Sequence, residues 1–459
     1  MKTKRNHRKI NSKTRKKREE TYDIIILGGG IAGIYTLYRL IQNPLFNNKR
    51  ILLLEKTERL GGRVYSINPY KNHPEDIIEG GAGRFSQKHI QLNKLIRELN
   101  LEDKIQEIGN GETKYYPINR EKNNNDTEIL LLKVINASNK ESIDYLRTIS
   151  FSEYASKIIS KDEVKYVQDS FGYYSELVIM NAYDAIQLMA NLNTDNQFHI
   201  LIGGLSQINE RMIQFVVENQ NNKNIFQTNQ NVDKISQIKD QIYKIKTQNK
   251  QYITRNIISA LPKQILERIS FFKPIYPLLS KIKCAPLCRI YSRFEKDPWF
   301  KNLPKLTTNN NLRMVIPVNK EKGIIMISYT DNKYAEYWNN IYKKEGVEIL
   351  NQKIKAEIKE STDIIIPREP MQTNIYYWKC GVGYWGIGAN SKEISRKMIQ
   401  PFSSQKNIFC CGEHYSENFQ QWMEGALETS NKVLEKIIEI EKINNCEKIN
   451  KKNLDRMYI

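Results

Sequence analysis

The chain has little of what several function classes require. Its 459 residues include only five histidines, scattered along the chain, and no Ser-His-Asp arrangement is visible. The six cysteines (Cys284, Cys288, Cys380, Cys410, Cys411, Cys446) show no zinc spacing, so no metal site is expected. No apolar run reaches the length of a membrane-spanning helix, because IIILGGGIAGI is broken by glycines. The first residues carry no apolar stretch, which excludes a recognisable secretory signal. Reduced thiols in an intracellular protein, cytoplasmic or nuclear, are therefore expected over disulfides. Acidic residues are short as well: 51 Asp+Glu face 71 Lys+Arg, for a net charge of +20.

Part of that charge is local. Residues 1–20, MKTKRNHRKINSKTRKKREE, hold ten Lys or Arg against two Glu and are expected to be a disordered basic tail. The segment reads as a solvated tail, a nuclear address, or an arm that binds nucleic acid or another polyanion. With 40% hydrophobic residues and this length, two folded domains are the natural organisation. The abundance of Lys, Asn and Ile fits an AT-rich genome, as in certain large DNA viruses and protists, which leaves virion association open.

The first informative stretch is TYDIIILGGGIAGIYTLYRLI. Ile24 to Leu27 reads as a buried parallel strand, followed by G-x-G-x-x-G at Gly28, Gly30 and Gly33. Ile31 and Ala32 then open a helix. The first glycine makes a tight turn, the second lets backbone approach a pyrophosphate, and the third lets helix and strand pack closely. A second apolar run, Ile51 to Leu54, ends in Glu55 with Lys56 beside it, where a carboxylate accepts ribose hydroxyls and disfavours a 2′-phosphate. Directly after comes KTERLGGRVYS. Gly61, Gly62 and Arg63 supply more backbone and charge for phosphate or ribityl groups.

At this point the chain resembles the flavin-dependent amine oxidase superfamily, which includes monoamine, polyamine and L-amino-acid oxidases. In that family an R-x-G-G-R element follows the ribose-binding Glu and contacts FAD. The resemblance continues in the family's order through most of residues 21–440. IIEGGAGRF, with Gly81, Ala82, Gly83 and Arg84, is similar to the next flavin-contacting turn. HILIGGLSQINERMI resembles a segment that re-enters the FAD domain, NVDKI with Val232 the strand end whose backbone meets the adenine, and NIISALP an apolar strand ending in Pro. FCCGEHYSENFQQWMEGALETS resembles the last FAD motif. The Trp-Met-Glu-Gly-Ala run favours the amine oxidase branch over carotenoid and porphyrinogen oxidoreductases.

The resemblance implies FAD, with Glu413 beside Gly412 holding a ribityl or ribose hydroxyl. A helix from about Gln421 would aim its first amides, including that of Met423, at the flavin pyrimidine oxygen. Trp422 would form one wall of a substrate cage and Trp385, in Tyr384-Trp385, another. The Cys that tethers flavin in monoamine oxidases is absent, since Tyr384-Trp385 takes the aromatic position in YYWKCGVGYWGIG; FAD is expected without a covalent bond. The implied reaction is C–N oxidation of an amine or L-amino acid by hydride transfer to flavin N5, with O2 as reoxidant giving H2O2. Alignment on Trp299 puts Arg289 where many members carry a Lys near N5, and Arg cannot give up its proton. Lys283 or Lys296 takes the role if the alignment slips. Arg84 falls where L-amino-acid oxidases grip the substrate carboxylate, although Gly83 and Ser86 replace the family's usual Met and Pro. Glu176 is the one candidate for a polyamine site, which long-range repulsion by a +20 protein disfavours. The rival from another class is a flavoprotein fold kept as a structural or nucleic-acid-associated component.

The expected fold class is α/β: a two-domain, Rossmann-type flavoprotein. Residues 21–100, 195–270 and 370–445 form a discontinuous FAD domain. Residues 101–194 and 271–369 form a mixed sheet-plus-helices substrate domain. ETKYYPINREKNNNDTE reads as an exposed loop or hairpin and residues 446–459 as a poorly ordered polar tail.

Overall fold

The computed structural model describes residues 20–70, 76–108, 113–116, 126–194, 197–219, 225–295 and 298–457. The basic segment up to residue 19 lies outside them, and with it the expectation of a disordered tail. Strands β1 (Glu20–Leu27) and β2 (Ile51–Leu54) run parallel, with Ile24 opposite Ile51 and Leu27 opposite Leu54. Ile24, Ile26, Ile51 and Leu53 enter the core that holds helix α1 (Ile31–Gln42). Ile25, Leu27, Leu52 and Leu54 enter a second core on the opposite face. Both faces are covered, so the runs are continuously apolar rather than alternating. Helix α2 (Ser206–Glu218) packs beside α1 through Ile208, Met212 and Val216. The sheet is completed by β3 (Phe226–Gln227), β4 (Val232–Lys239), β5 (Ile242–Thr247) and β6 (Gln251–Ser259) in the order β4–β5–β6–β1–β2–β3. Ile408–Cys410 adds a further parallel strand against β6.

A second sheet contains β7 (Ile282–Arg293), β8 (Lys305–Thr308), β9 (Met314–Asn319), β10 (Ile324–Asp331) and β11 (Gln372–Trp385). Its order is β11–β7–β10–β9–β8, closed by Thr113–Tyr116 pairing parallel to β8. That last strand comes from the segment read as a loop or hairpin; residues 117–125 of it lie outside the described ones. Helix α3 (Asn332–Thr362), kinked at Gly346, covers one face through Trp338, Leu350, Ile354 and Ile358. A helical layer between Asp126 and Thr194 packs its own core against Ala285 and Tyr384 of this sheet.

Two expectations are corrected. Residues 446–457, read as part of a poorly ordered tail, are helical: helix α4 (Met423–Met457) continues through them. After Gly425 the sequence contains neither Gly nor Pro, so nothing in it stops the helix. The cysteines are not all free. Cys284 on β7 and Cys380 on β11 form a disulfide, their Cα atoms 5.4 Å apart. They are separated by 96 residues in sequence, and only the antiparallel β7–β11 pairing brings them together. Cys288, Cys410 and Cys411 are buried free thiols, as read for the last two.

Candidate active site

One cavity of 1640 Å³ extends from the first glycine turn to the second sheet. Drug-sized ligands occupy pockets of roughly 300–1,000 Å³. The cavity therefore has room for a dinucleotide and a small substrate together. At one end it is lined by Gly28, Gly30, Ile31, Ala32, Glu55 and Lys56, and further along by Gly62, Arg63 and Val232. Gly28 has φ +101°, and a Cβ there would come 3.0 Å from the Ala260 carbonyl oxygen. Gly33 does not line the cavity; a Cβ on it would sit 2.0 Å from the Gly28 oxygen, so its role is the close contact of α1 with the turn. Beside Gly30 the space is open, with no atom nearer to an added Cβ than Gly62 Cα at 3.9 Å. Glu55 accepts the Gly29 N–H at 2.8 Å and two bonds from Thr57, which hold its carboxylate at the cavity edge. Gly61 also lies behind the wall, its N–H donating to the Gly29 carbonyl at 2.7 Å and joining the two glycine turns. The glycine cradle, the helix N-terminus and the tethered acid fit an extended phosphate-bearing cofactor.

The segment after Ile408–Cys410 closes the middle of the cavity. Glu413 accepts from Arg63 Nη1 at 2.5 Å and from the Gln421 N–H at 3.1 Å, with His414 Nε2 3.1 Å away. Burial pushes this carboxyl up, but the charges of His414 and Arg63 outweigh that and hold it well below the usual carboxylate range. Gln421 takes φ +75°, so α4 starts two residues later than expected, at Met423, whose residue and Gly412 both line the cavity. Trp422 lines it too. Its ring stacks on Phe198 at 5.9 Å with 5° between planes, and His89 packs 4.8 Å away.

The far end carries the charges. Arg84 lies 3.9 Å from the Phe198 ring centre and reaches Tyr173 Oη at 3.5 Å. Gly81, Ala82 and Gly83 line the wall beside it. Arg289 donates to the Glu79 carbonyl at 3.0 Å and lies 4.6 Å over the Tyr329 ring. Its guanidinium would be 2.7 Å from a Cβ on Gly83. Glu176 is buried with Oε2 lacking a hydrogen-bond partner, and burial, aided by Asp331, pushes its pKa up to about 8 against the pull of Arg84. Burial and Arg84 bring Lys305 down to about 8.

Trp385 is a correction: it is 1% exposed in the core, with Nε1 donating to the Ser416 carbonyl. Neighbouring residues of β11 point to opposite faces, and Tyr384 takes the cavity side. Lys283 lines a separate surface pocket, and Lys296 lies outside the described residues. Sequence reasoning missed Lys305, Glu79 and Trp378, whereas Tyr173 stands in the aromatic group Phe171-Gly172-Tyr173-Tyr174 read beside Glu176. Lys305 follows Pro304 at the start of a short strand and carries no local signal. Trp378, whose Nε1 donates to the Gly80 carbonyl at 2.6 Å, was one aromatic among several.

The chain is similar to several known proteins. An uncharacterised protein of Acanthamoeba polyphaga mimivirus is 23% identical over 90% of this chain and 93% of its own. Flavin-containing amine oxidase A of Bos taurus is 28% identical over 83 residues, 18% of this chain and 14% of that protein. A putrescine oxidase bound to putrescine superposes with a TM-score of 0.71 at 14% identity, covering 92% of this chain and 100% of the other. Cyclohexylamine oxidase from Brevibacterium oxydans gives 0.71 at 15% identity, covering 92% and 99%. The fold is thus the mixed α/β, multi-sheet fold of FAD-dependent amine oxidases. The flavin containing amine oxidoreductase family matches residues 31–438, and the chain belongs to it.

Proposed function

We propose that the chain is an FAD-dependent oxidase of an amine whose substrate carries a carboxylate, an L-amino acid, with O2 as acceptor. The carrying observation is one continuous cavity with the cofactor cradle at one end and Arg84, Lys305 and Arg289 at the other. Glu176, with a pKa of about 8, keeps its proton at neutral pH, so the substrate end is cationic and favours an anion over a polyamine. Bound FAD would supply the two-electron acceptor for this oxidation, with O2 as the final acceptor.

The chain's own part is positional. Arg84 would pair with the substrate carboxylate, Trp422 and Tyr384 bound the cavity, and Arg63 with Glu413 would hold the ribityl part of FAD. The first amides of α4, at the cavity wall, would favour negative charge on a cofactor held there. Arg289 is anchored to Glu79 and stays protonated, so a proton relay at that point is assigned to water and substrate rather than to this side chain. FAD is held without a covalent bond, since Cys380 is engaged with Cys284. In this reading the first sheet with α1, α2 and α4 is the FAD-binding domain, and the second sheet with its helices is the substrate domain. Lys- and Asn-rich composition and the mimivirus relative support a large-virus source.

The test is the visible spectrum of the purified protein, followed anaerobically as L-amino acids, monoamines and polyamines are added. Bleaching by L-amino acids alone is the expected result. A bound flavin that no amine reduces would instead support the retained-fold reading, in which the basic residues 1–20 and a polyanion partner carry the function.

A further inference from the structure

The Cys284–Cys380 disulfide lies between two spaces. Cys380 faces the large cavity, whereas Cys284 lines a separate, open surface pocket of 600 Å³ together with Ile179, Lys263, Lys283 and Ile387. Cys284 is half-buried rather than enclosed, and Lys283 beside it is exposed. A thiolate arriving from solvent thus meets Cys284 first, next to positive charge. On the inner side, Cys380 Sγ is 3.7 Å from His414 Nε2. His414 Nδ1 accepts the Lys263 backbone N–H at 3.3 Å, which places the ring proton on Nε2, where the Glu413 carboxylate at 3.1 Å is the nearer acceptor and the sulfur the farther one. Arg63 donates to the Gly381 carbonyl at 2.7 Å, adding a guanidinium beside the same sulfur's residue. The outer sulfur borders the surface pocket, and the inner one lies beside the buried Arg63–Glu413–His414 cluster. The disulfide itself has no part in the amine oxidation proposed above.

We propose that Cys284–Cys380 is a thiol–disulfide exchange site that takes two electrons from an external dithiol through the surface pocket. The dithiol's thiolate attacks Cys284 Sγ; the Cys284–Cys380 bond breaks, and Cys380 leaves as a thiolate beside the His414 Nε2–H. The second thiolate of the dithiol attacks the mixed disulfide and releases Cys284. The partner departs as a disulfide, two protein thiols remain, and the two thiol protons of the dithiol end on them by way of solvent. Reduction unlinks β7 from β11, the strands that carry Arg289 and Tyr384 on the cavity wall, and leaves Cys380 as a thiol at that wall. The exchange needs no flavin, so its test is independent of the oxidase reading.

The test is differential alkylation of the full chain. Free thiols are blocked with N-ethylmaleimide, the folded protein is treated briefly with dithiothreitol, and new thiols are labelled with iodoacetamide and mapped by mass spectrometry. The expected result is label on Cys284 and Cys380 and none on Cys288, Cys410 or Cys411, with a several-fold slower reaction in Lys283→Gln. Lys283→Glu should slow reduction more than Lys283→Gln at an unchanged melting temperature, a charge dependence that loss of structure alone would not produce. N-ethylmaleimide on Cys284 and Cys380 before any reductant would overturn the proposal, as would label that appears only after unfolding.

Discussion

Arg289 and Gly83 share one space in the cavity wall. The guanidinium occupies the space a side chain at position 83 would fill, 2.7 Å from its Cβ. Gly83→Met should therefore destabilise by about 1–3 kcal/mol through overpacking. In an Arg289→Lys background most of that cost should disappear, which a double-mutant cycle of unfolding free energies would register; additive effects would break the link. Arg84 makes a prediction of a different kind. Its replacement by Ala removes a charge-assisted pair worth about 1.5–3 kcal/mol. KM for an L-amino acid should rise by roughly 10- to 100-fold while kcat changes little, and KM for a simple monoamine should stay level. Equal losses on both substrates would remove Arg84 from the carboxylate role. Arg84 was legible in sequence through its place in GAGRF, whereas Lys305, nearer in chemistry than in any motif, was not.

At the scale of elements, the turn between β1 and α1 depends on a contact no side chain can enter. A Cβ at residue 33 meets the Gly28 oxygen at 2.0 Å, and both groups belong to backbone that cannot swing away. Gly33→Ala should push α1 off the turn, lower stability by at least about 1–3 kcal/mol and empty the cofactor site. The melting temperature and the flavin-to-protein absorbance ratio of the purified variant read both effects. This element was fully written in the sequence, because the periodicity of Ile24 to Leu27, the glycine spacing and Glu55 are all local patterns. The two aromatics of β11 were not. Which of Tyr384 and Trp385 faces the cavity depends on the register Lys283 opposite Tyr384 and Ile282 opposite Trp385, and register is a property of the sheet.

For the whole molecule, a buried and a half-buried group in one cavity set opposite pH dependences. Glu176 rises from 4.5 to about 8, so the folded state keeps a proton that the unfolded chain loses; its contribution is full below pH 4.5 and is lost as pH rises to about 8. Lys305 falls from 10.5 to about 8, so the unfolded chain binds the extra proton between these values, and stability is regained from about pH 8 to 10.5. Together they place a stability minimum near pH 8. Melting temperatures across pH 5–10 should show it, and Glu176→Gln should flatten the acidic limb while Lys305→Gln flattens the alkaline one. Limbs unchanged in both variants would mean that other groups carry the dependence. Among the described residues no helix is long and apolar enough to cross a membrane.

The sequence alone determined the parts whose chemistry is local: the strand-turn-helix with its three glycines, the acid at the end of β2, the Gly412-Glu413 pair and the helix behind Trp422. Their physics lies in spacing along one chain, where φ, strand period and helix period act within about twenty residues. Tertiary structure alone decided what distant segments do to each other. It joined Cys284 to Cys380 across 96 residues, set Arg289 against Gly83, buried Glu176 without a partner for one oxygen, and turned Trp385 into the core. Burial and pairing between strands set those outcomes, and neither is a function of nearby residues.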